Sequence, residues 1–435
     1  MSLNKRKLKL LFKIIHYNTP FVKKLVLNFS SATLQPAKRK LNPGNKILML
    51  TISQIEIDSR INKTAKSLAE NGYDVFIIAY HTLPNQENFQ KQVIQEGITY
   101  IRVNQPQTYR VLNGFIQQDF IEAAKYCEFD FVHANDLTTV LTSWLLARKN
   151  GCPLIYDSHE LWSDNVTWNG KQYVRMKWWK RFIARLLENN ILSYVDSFYT
   201  VSPSIVNEYE KRVNKKPLLL PNYPDILTLD KPNTIAPSIR TQCNLSDEHF
   251  ITLYLGGIGP ARNIETVIKA HQFLDKRFVF VIRGPSIERY GQEYLDLARS
   301  IGVGNRIFLL PAVGRDDIIA ATKGADCGIV MLENLCKNFY WFYPNKFFEY
   351  SLAGLPVAVS NFPDVSAHIA KERNGVTFNP SDAKSIAHAI NVLASDIEEA
   401  RAMGQRGRAS ILREYNWHNA FNIMLKEYKR LSEQT

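Results

Sequence analysis

The 435 residues are enough for two domains with substantial cores, and 45% hydrophobic with 22% charged content excludes disordered and fibrous classes. The net charge of +13 is unevenly placed: residues 1–46 hold eleven Lys or Arg and no Asp or Glu, and removing these from the 54 leaves 43 basic against 41 acidic residues. The body is thus near neutrality, which argues against a nucleic-acid-binding surface spread over the fold.

Residues 3–29 set Leu8, Leu11, Ile14, Ile15, Val22, Leu25, Val26 and Phe29 among lysines, with Pro20 breaking the run. Two short basic amphipathic helices fit this pattern, of the kind that lies on an anionic membrane; a loose tail or helices packed on the body fit it as well. Leu8 to Ile15 is interrupted by Lys9 and Lys13 and lacks a small-residue cleavage site, so a signal peptide is not expected. Five cysteines without any Cys-x-x-Cys pair argue against a zinc site or disulfide framework and suit a reducing compartment.

From Lys46 onward strands and helices alternate. Strands are expected at residues 47–50, 75–79, 99–103, 129–133, 154–157 and 197–201, with helices over 59–71 and near 115–126, 137–149, 174–193 and 203–212. This alternation predicts a parallel doubly wound sheet, whose ligands lie beyond the carboxyl ends of its strands. Two of those ends are polar: His133-Ala134-Asn135-Asp136, and Asp157-Ser158-His159-Glu160. A histidine just past a buried strand and beside carboxylates is either a structural or a site residue. In the following helix Val174, Trp178, Phe182 and Leu186 repeat every four residues beside a basic flank; the stripe is expected to face the protein core, with a bilayer interface as the alternative.

Residues 221–241 carry Pro221, Pro224, Pro232 and Pro237 with little periodicity, the character of a linker. The alternation then restarts with strands at 251–255, 278–282, 306–309, 326–331 and 375–378 and helices over 263–274 and 288–301. The turn Gly256-Gly257-Ile258-Gly259, with Arg262 at the next helix start, resembles a phosphate-binding turn, and the strand at 278–282 ends at Arg283-Gly284-Pro285. The last helix–strand pair is Pro344-Asn345-Lys346-Phe347-Phe348-Glu349-Tyr350-Ser351-Leu352-Ala353-Gly354-Leu355-Pro356-Val357. Pro344 suits the first helical turn and Gly354 the left-handed residue past its end. Lys346 and Glu349, three apart, share a face near the helix N-terminus; a solvated ion pair and a phosphate-and-sugar site both fit that spacing. The composite is two Rossmann-like halves with a ligand cleft between their facing strand ends, phosphates toward Arg262 and Lys346 and the acceptor toward the first half.

Over roughly residues 46–431 the chain resembles glycosyltransferase family four, the retaining nucleotide-sugar transferases of the GT-B fold. The Pro-x-Lys-x-x-Glu-Tyr…Gly-x-Pro-Val run at 344–357 carries the resemblance, supported by Asp58-Ser59-Arg60, Asp157-Ser158-His159-Glu160, Val201-Ser202-Pro203, Leu220-Pro221-Asn222, Gly256 with Arg262, and Asn416-Trp417. It implies an α/β GT-B fold: a basic extension (1–45), a Rossmann-like acceptor domain (46–225) completed by the C-terminal helix (416–435), and a Rossmann-like nucleotide-sugar domain (226–415). It implies His159, Arg262 and Lys346 as catalytic residues. Donor binding would use Gly256, Gly257, Arg262, Gly284, Asn345, Lys346 and Glu349, with Glu349 on the ribose. Arg60, Asp157, His159 and Glu160 would line the acceptor side. Two positions depart from the family pattern: Trp341 stands eight before Glu349, where a sugar-contacting Glu is common, and Gly257 where a second phosphate-binding Arg is common.

The implied reaction is retaining transfer of a sugar from a nucleotide diphosphate sugar to a hydroxyl, in bacterial surface polysaccharide or glycolipid assembly, with no metal or cofactor and no nucleic-acid partner. Partners would be the nucleotide sugar, a saccharide or lipid-linked acceptor and, through residues 1–40, an anionic membrane; the expected location is cytoplasmic, peripheral on the inner face of the plasma membrane. A nucleotide-sugar epimerase of the same fold and a non-catalytic nucleotide-sugar-binding subunit are the alternatives.

Overall fold

A computed structural model describes residues 44–53, 55, 58–81, 89–104, 116–229 and 237–433. The basic amphipathic helices expected within 3–29, and Pro232 of the linker, lie outside these residues. The first half comprises β1 (Lys46–Leu50), β2 (Asp74–Tyr80), β3 (Phe89–Gln95), β4 (Ile98–Val103), β5 (Phe131–Asn135) and β6 (Leu154–Ser158). It continues with a separate hairpin of β7 (Val166–Trp168) and β8 (Tyr173–Arg175), then β9 (Ser197–Thr200) and β10 (Leu218–Leu219). Eight of these form one sheet in the order β10-β9-β6-β5-β1-β2-β4-β3. Every pairing in that sheet is parallel except β3–β4, an antiparallel edge that the alternation did not predict.

The second half holds β11 (Phe250–Leu255), β12 (Phe278–Arg283), β13 (Ile307–Leu310), β14 (Cys327–Val330), β15 (Val357–Ser360) and β16 (Gly375–Phe378). They form an all-parallel sheet in the order β13-β12-β11-β14-β15-β16, the doubly wound pattern that opens a crevice where the order reverses, between β11 and β14. All six residues of β11 and of β12 are buried, as continuous apolar runs covered on both faces require.

Capping residues set the helices that approach the cleft. Asp58 accepts hydrogen bonds from the Arg60 and Ile61 N–H groups (3.1 and 3.2 Å), starting the helix Ser59–Glu70. Pro344 stands at the N-cap of the helix Asn345–Leu352, one position earlier than expected, and Gly354 takes the left-handed conformation (φ 78°) that ends it.

Several contacts among the described residues join the halves. The C-terminal helix Trp417–Glu433 crosses back onto the first half: Trp417 Nε1 donates to Ser67 Oγ (2.9 Å), Ser197 Oγ donates to Glu427 (2.9 Å), and the Tyr428 hydroxyl meets His133 Nδ1 (2.8 Å). The segment before the signature helix docks on the first half, the Leu161 N–H donating to Asn338 Oδ1 (2.8 Å). Asp364 accepts from the N–H and hydroxyl of Ser204 (3.1 and 2.7 Å).

The stripe Val174, Trp178, Phe182 does not face the core as expected. Val174 belongs to the hairpin, the helix spans Trp178–Ile191, and Trp178 and Phe182 are 66% and 42% exposed. The helix buries Ala184, Glu188 and Ile191 instead, and Glu188 is buried because Arg212 pairs with it at 2.5 Å and Tyr209 donates to it at 3.1 Å.

Candidate active-site cleft

The carboxyl ends of β5 and β6 bring together a buried charge network. Asp157, at the end of β6, is fully buried and accepts a bidentate pair from Arg60 (Nε 2.8 Å, Nη2 2.6 Å). The third arm of the same guanidinium donates to the Leu220 carbonyl at 2.6 Å. Burial opposes the Asp157 charge, but Arg60, His159 and His133 outweigh it and hold the carboxyl well below its usual range. Arg60 thus borders the cleft with its fork occupied by Asp157 and the Leu220 carbonyl.

His159 sits between two carboxylates, with Nε2 3.4 Å from Asp157 and Nδ1 3.6 Å from Asp136. These are ion-pair contacts; the Nε2 approach does not have hydrogen-bond geometry. Burial lowers the imidazole pKa, but the two carboxylates overcome it and raise the value to about 9. The ring is therefore an imidazolium at neutral pH. Next to it burial, with the Asp136 charge, pushes Glu160 up to about 7, while the Asn165 amide that donates to it pulls the other way.

Asp136 is the site residue that the sequence motifs did not supply. It follows β5 with φ 64° and ψ 165°, a region almost reserved for glycine that costs a residue on the order of 1–3 kcal/mol. Its side chain does not cap the helix Leu137–Asn150. The conformation turns the carboxylate toward β6, where Oδ1 accepts from the His159 N–H (2.9 Å) and Trp162 Nε1 (3.1 Å). A polar residue ending a buried strand was the available signal; its backbone conformation was not.

The second half answers with cations that have no acid partner. Arg262 is exposed in a turn held by left-handed Ala261 and Asn263 (φ 65° and 61°), and its guanidinium pairs with none of the described residues. Lys346 has no carboxylate within ion-pair distance among the described residues, so the i,i+3 pair with Glu349 does not form. Its Nζ instead rests over the Tyr254 ring, 3.9 Å from the centroid, against the Gly256 turn. Burial, with the Arg262 charge, lowers the Lys346 pKa to about 7, Glu349 offsetting part of it. Burial raises Glu349, opposed by Lys63, Lys346 and Arg315. Lys63, from the first half, is likewise lowered to about 7 by burial and by Arg60, and it donates to the Tyr223 carbonyl.

The glycines are ordered by packing. A Cβ on Gly284 would stand 1.9 Å from the Gly256 carbonyl oxygen, so the turns after β11 and β12 stack backbone on backbone. Gly257 is exposed with nothing near its Cβ position, leaving its backbone approachable.

A cleft of about 450 Å³ separates the two walls and is lined by Arg60, His159 and Glu160 on one side and Arg262, Trp341 and Asn345 on the other. Lys346, Glu349, Asp157 and the glycines of the two turns are not part of this lining. Trp341 also packs against the hydrophobic core of the first half, with Lys337 Nζ 4.9 Å from the centroid of its ring. Where the resemblance implies a sugar-contacting carboxylate, the chain has an aromatic wall that bridges the domains.

The profile of Glycosyltransferase Family 4 matches residues 59–223, and that of Glycosyl transferases group 1 matches residues 236–410. The chain is 25% identical to an uncharacterized glycosyltransferase, MJ1607, of Methanocaldococcus jannaschii over 44% of its own length and 48% of that protein. It is 21% identical to the D-inositol 3-phosphate glycosyltransferase of Salinispora tropica over 72% of its length and 66% of that protein. These matches span about half to two thirds of the relatives. Among solved structures, sucrose-phosphate synthase of Thermosynechococcus elongatus superposes with a TM-score of 0.72 at 20% identity, covering 90% of this chain and 100% of that one. HepE of Anabaena, in complex with UDP and glucose, superposes with a TM-score of 0.66 at 14% identity, covering 89% and 100%. At these identities both describe the fold, which is GT-B.

Proposed function

We infer the reaction from a premise that the matches together establish: the chain belongs to the glycosyltransferases of the family 4 type, its first half matching Glycosyltransferase Family 4 and its second Glycosyl transferases group 1. The reading is transfer of a sugar from a nucleotide diphosphate sugar to an acceptor hydroxyl, with retention at the anomeric carbon. The observation that carries it is the asymmetry of the cleft, where Arg262 and Lys346, without acid partners, face the paired network of Arg60, Asp157, His159 and Asp136. Departure of a nucleoside diphosphate builds negative charge, and stabilising that charge is the main electrostatic task of the site. Arg262, Lys346 and the N-terminus of the helix Asn345–Leu352 would receive it, and a bound diphosphate would restore the Lys346 proton. Glu349 would hold the ribose hydroxyls, and the open backbone of Gly257 would allow close approach of the phosphates.

The acceptor hydroxyl would enter beside His159 and Glu160. As an imidazolium His159 has no lone pair to accept a proton at neutral pH, so its task would be orientation and charge, with the departing phosphate taking the acceptor proton. No metal is required by this scheme. UDP-sugars are the first donors to try, because HepE was captured with UDP-glucose. A saccharide or lipid-linked acceptor of surface polysaccharide or glycolipid assembly fits a cleft of this size, and residues 1–40 would add contact with an anionic membrane at the inner face of the cell envelope.

The test is release of nucleoside diphosphate from a panel of nucleotide sugars, with and without acceptors. Lys346→Ala and Glu349→Ala should each nearly abolish turnover while circular dichroism stays unchanged. Full activity in both variants contradicts the assignment, and conversion of donor without acceptor would favour an epimerase.

A further inference from the structure

The region just past the cleft wall carries a surface that glycosyl transfer does not use. Residues 165–187 contain six Lys or Arg and no Asp or Glu. They fold as the β7–β8 hairpin and the helix Trp178–Ile191. Asp164 holds both pieces, pairing with Arg175 of the hairpin (2.7 Å) and Arg181 of the helix (2.6 Å). That leaves Lys171, Lys177, Lys180 and Arg185, all exposed and without an acid partner among the described residues. Between them stand four large aromatics: Trp168 42%, Tyr173 40%, Trp178 66% and Phe182 42% exposed. The Trp168 and Tyr173 rings meet edge-on across the hairpin at 5.2 Å, and Trp178 and Phe182 lie one turn apart on the helix.

We propose that this hairpin and helix form a docking face for the headgroup layer of an anionic bilayer. Water solvates such a group of rings poorly, whereas the bilayer interface suits amphipathic aromatics and lets Lys and Arg stems lie along apolar surface with their charges at the phosphates. The charge match selects anionic lipid, since Lys171, Lys177, Lys180 and Arg185 remain after Asp164 takes Arg175 and Arg181. The contact is peripheral: no helix of the described residues is long and apolar enough to cross a membrane. The face differs from the basic residues 1–40, and it starts at the cleft. Asn165, which opens the hairpin, donates to Glu160 in the cleft wall and lies 3.4 Å from the Asn338 amide of the second half. A lipid-linked acceptor would thus reach the acceptor side from the membrane; that clause alone rests on the proposed reaction.

Vesicle co-sedimentation of the full chain tests the face, with phosphatidylcholine alone compared against phosphatidylcholine mixed with phosphatidylglycerol. Trp178→Ser with Phe182→Ser, and separately Lys177→Glu with Lys180→Glu, should each weaken partitioning onto the anionic vesicles by about tenfold or more, with an unchanged melting temperature. Melting serves as the fold control because it does not depend on any enzymatic activity. Wild-type partitioning in both pairs overturns the proposal, as does absence of vesicle binding by the unmodified chain. A concentration-dependent dimer that the aromatic pair abolishes, without vesicle binding, would assign the face to a second copy and also overturn it.

Discussion

The two walls of the cleft treat charge in opposite ways. On the first half the charges around His159 are paired: Arg60 grips Asp157, and Asp157 and Asp136 flank His159. On the second half Arg262 and Lys346 have no acid partner, and Lys346 gives up part of its charge to burial. A paired network is rigid and selects orientation, while an unpaired cationic pocket stores affinity for an anion still to come. Under the proposed reaction the first wall would position and the second would bind.

The contrast breaks hardest where the paired wall loses a member. Asp157→Asn leaves the Arg60 guanidinium buried without its counter-charge and should lower unfolding free energy by about 3–5 kcal/mol, read by urea denaturation. On the binding wall, Arg262→Ala should leave the urea midpoint in place and weaken nucleoside diphosphate binding by about 10²-fold, read by calorimetry. Stability loss in the Arg262 variant would blur the distinction. The smallest effect sharpens it: Asp136→Asn removes one of two carboxylates facing His159, so the imidazole pKa should fall from about 9 by about one unit in an NMR titration. The sign follows the raised value. The stabilisation from His159 is fully present below its ordinary pKa of 6.5 and is lost as pH rises through about 9, and the variant should show a shallower decline across that window.

Much of this was legible in the residues. Alternating apolar runs marked both sheets, and the spacing of Pro344, Lys346, Glu349 and Gly354 marked the helix Asn345–Leu352. The antiparallel β3 was missed because two-sided polarity in Gln90, Lys91 and Gln92 hides a strand at a sheet edge. The four-residue repeat of Val174, Trp178 and Phe182 misled, since hydrophobic side chains read as core. The helix buries Ala184 and Glu188 instead, and a buried Glu is legible only through its distant partner Arg212. Arg60 read as a cleft residue and does line the cleft, while the bonds that occupy its fork, to Asp157 and the Leu220 carbonyl, are distant in sequence and leave no mark there. Asp136 escaped because a left-handed backbone at a non-glycine residue leaves no mark in sequence.

The central claim is that the second half holds cations awaiting a diphosphate. Calorimetric titration of UDP, GDP, ADP and dTDP into the full chain near pH 8, repeated in buffers of different ionisation enthalpy, counts the protons taken up. Lys346, lowered to about 7, is mostly neutral there, so binding should draw in a large fraction of one proton, and affinity should weaken as pH rises from 7 to 9. Lys346→Ala should abolish the uptake. Binding of none of the four, or tight binding with no proton uptake and no loss in Lys346→Ala, would contradict the account.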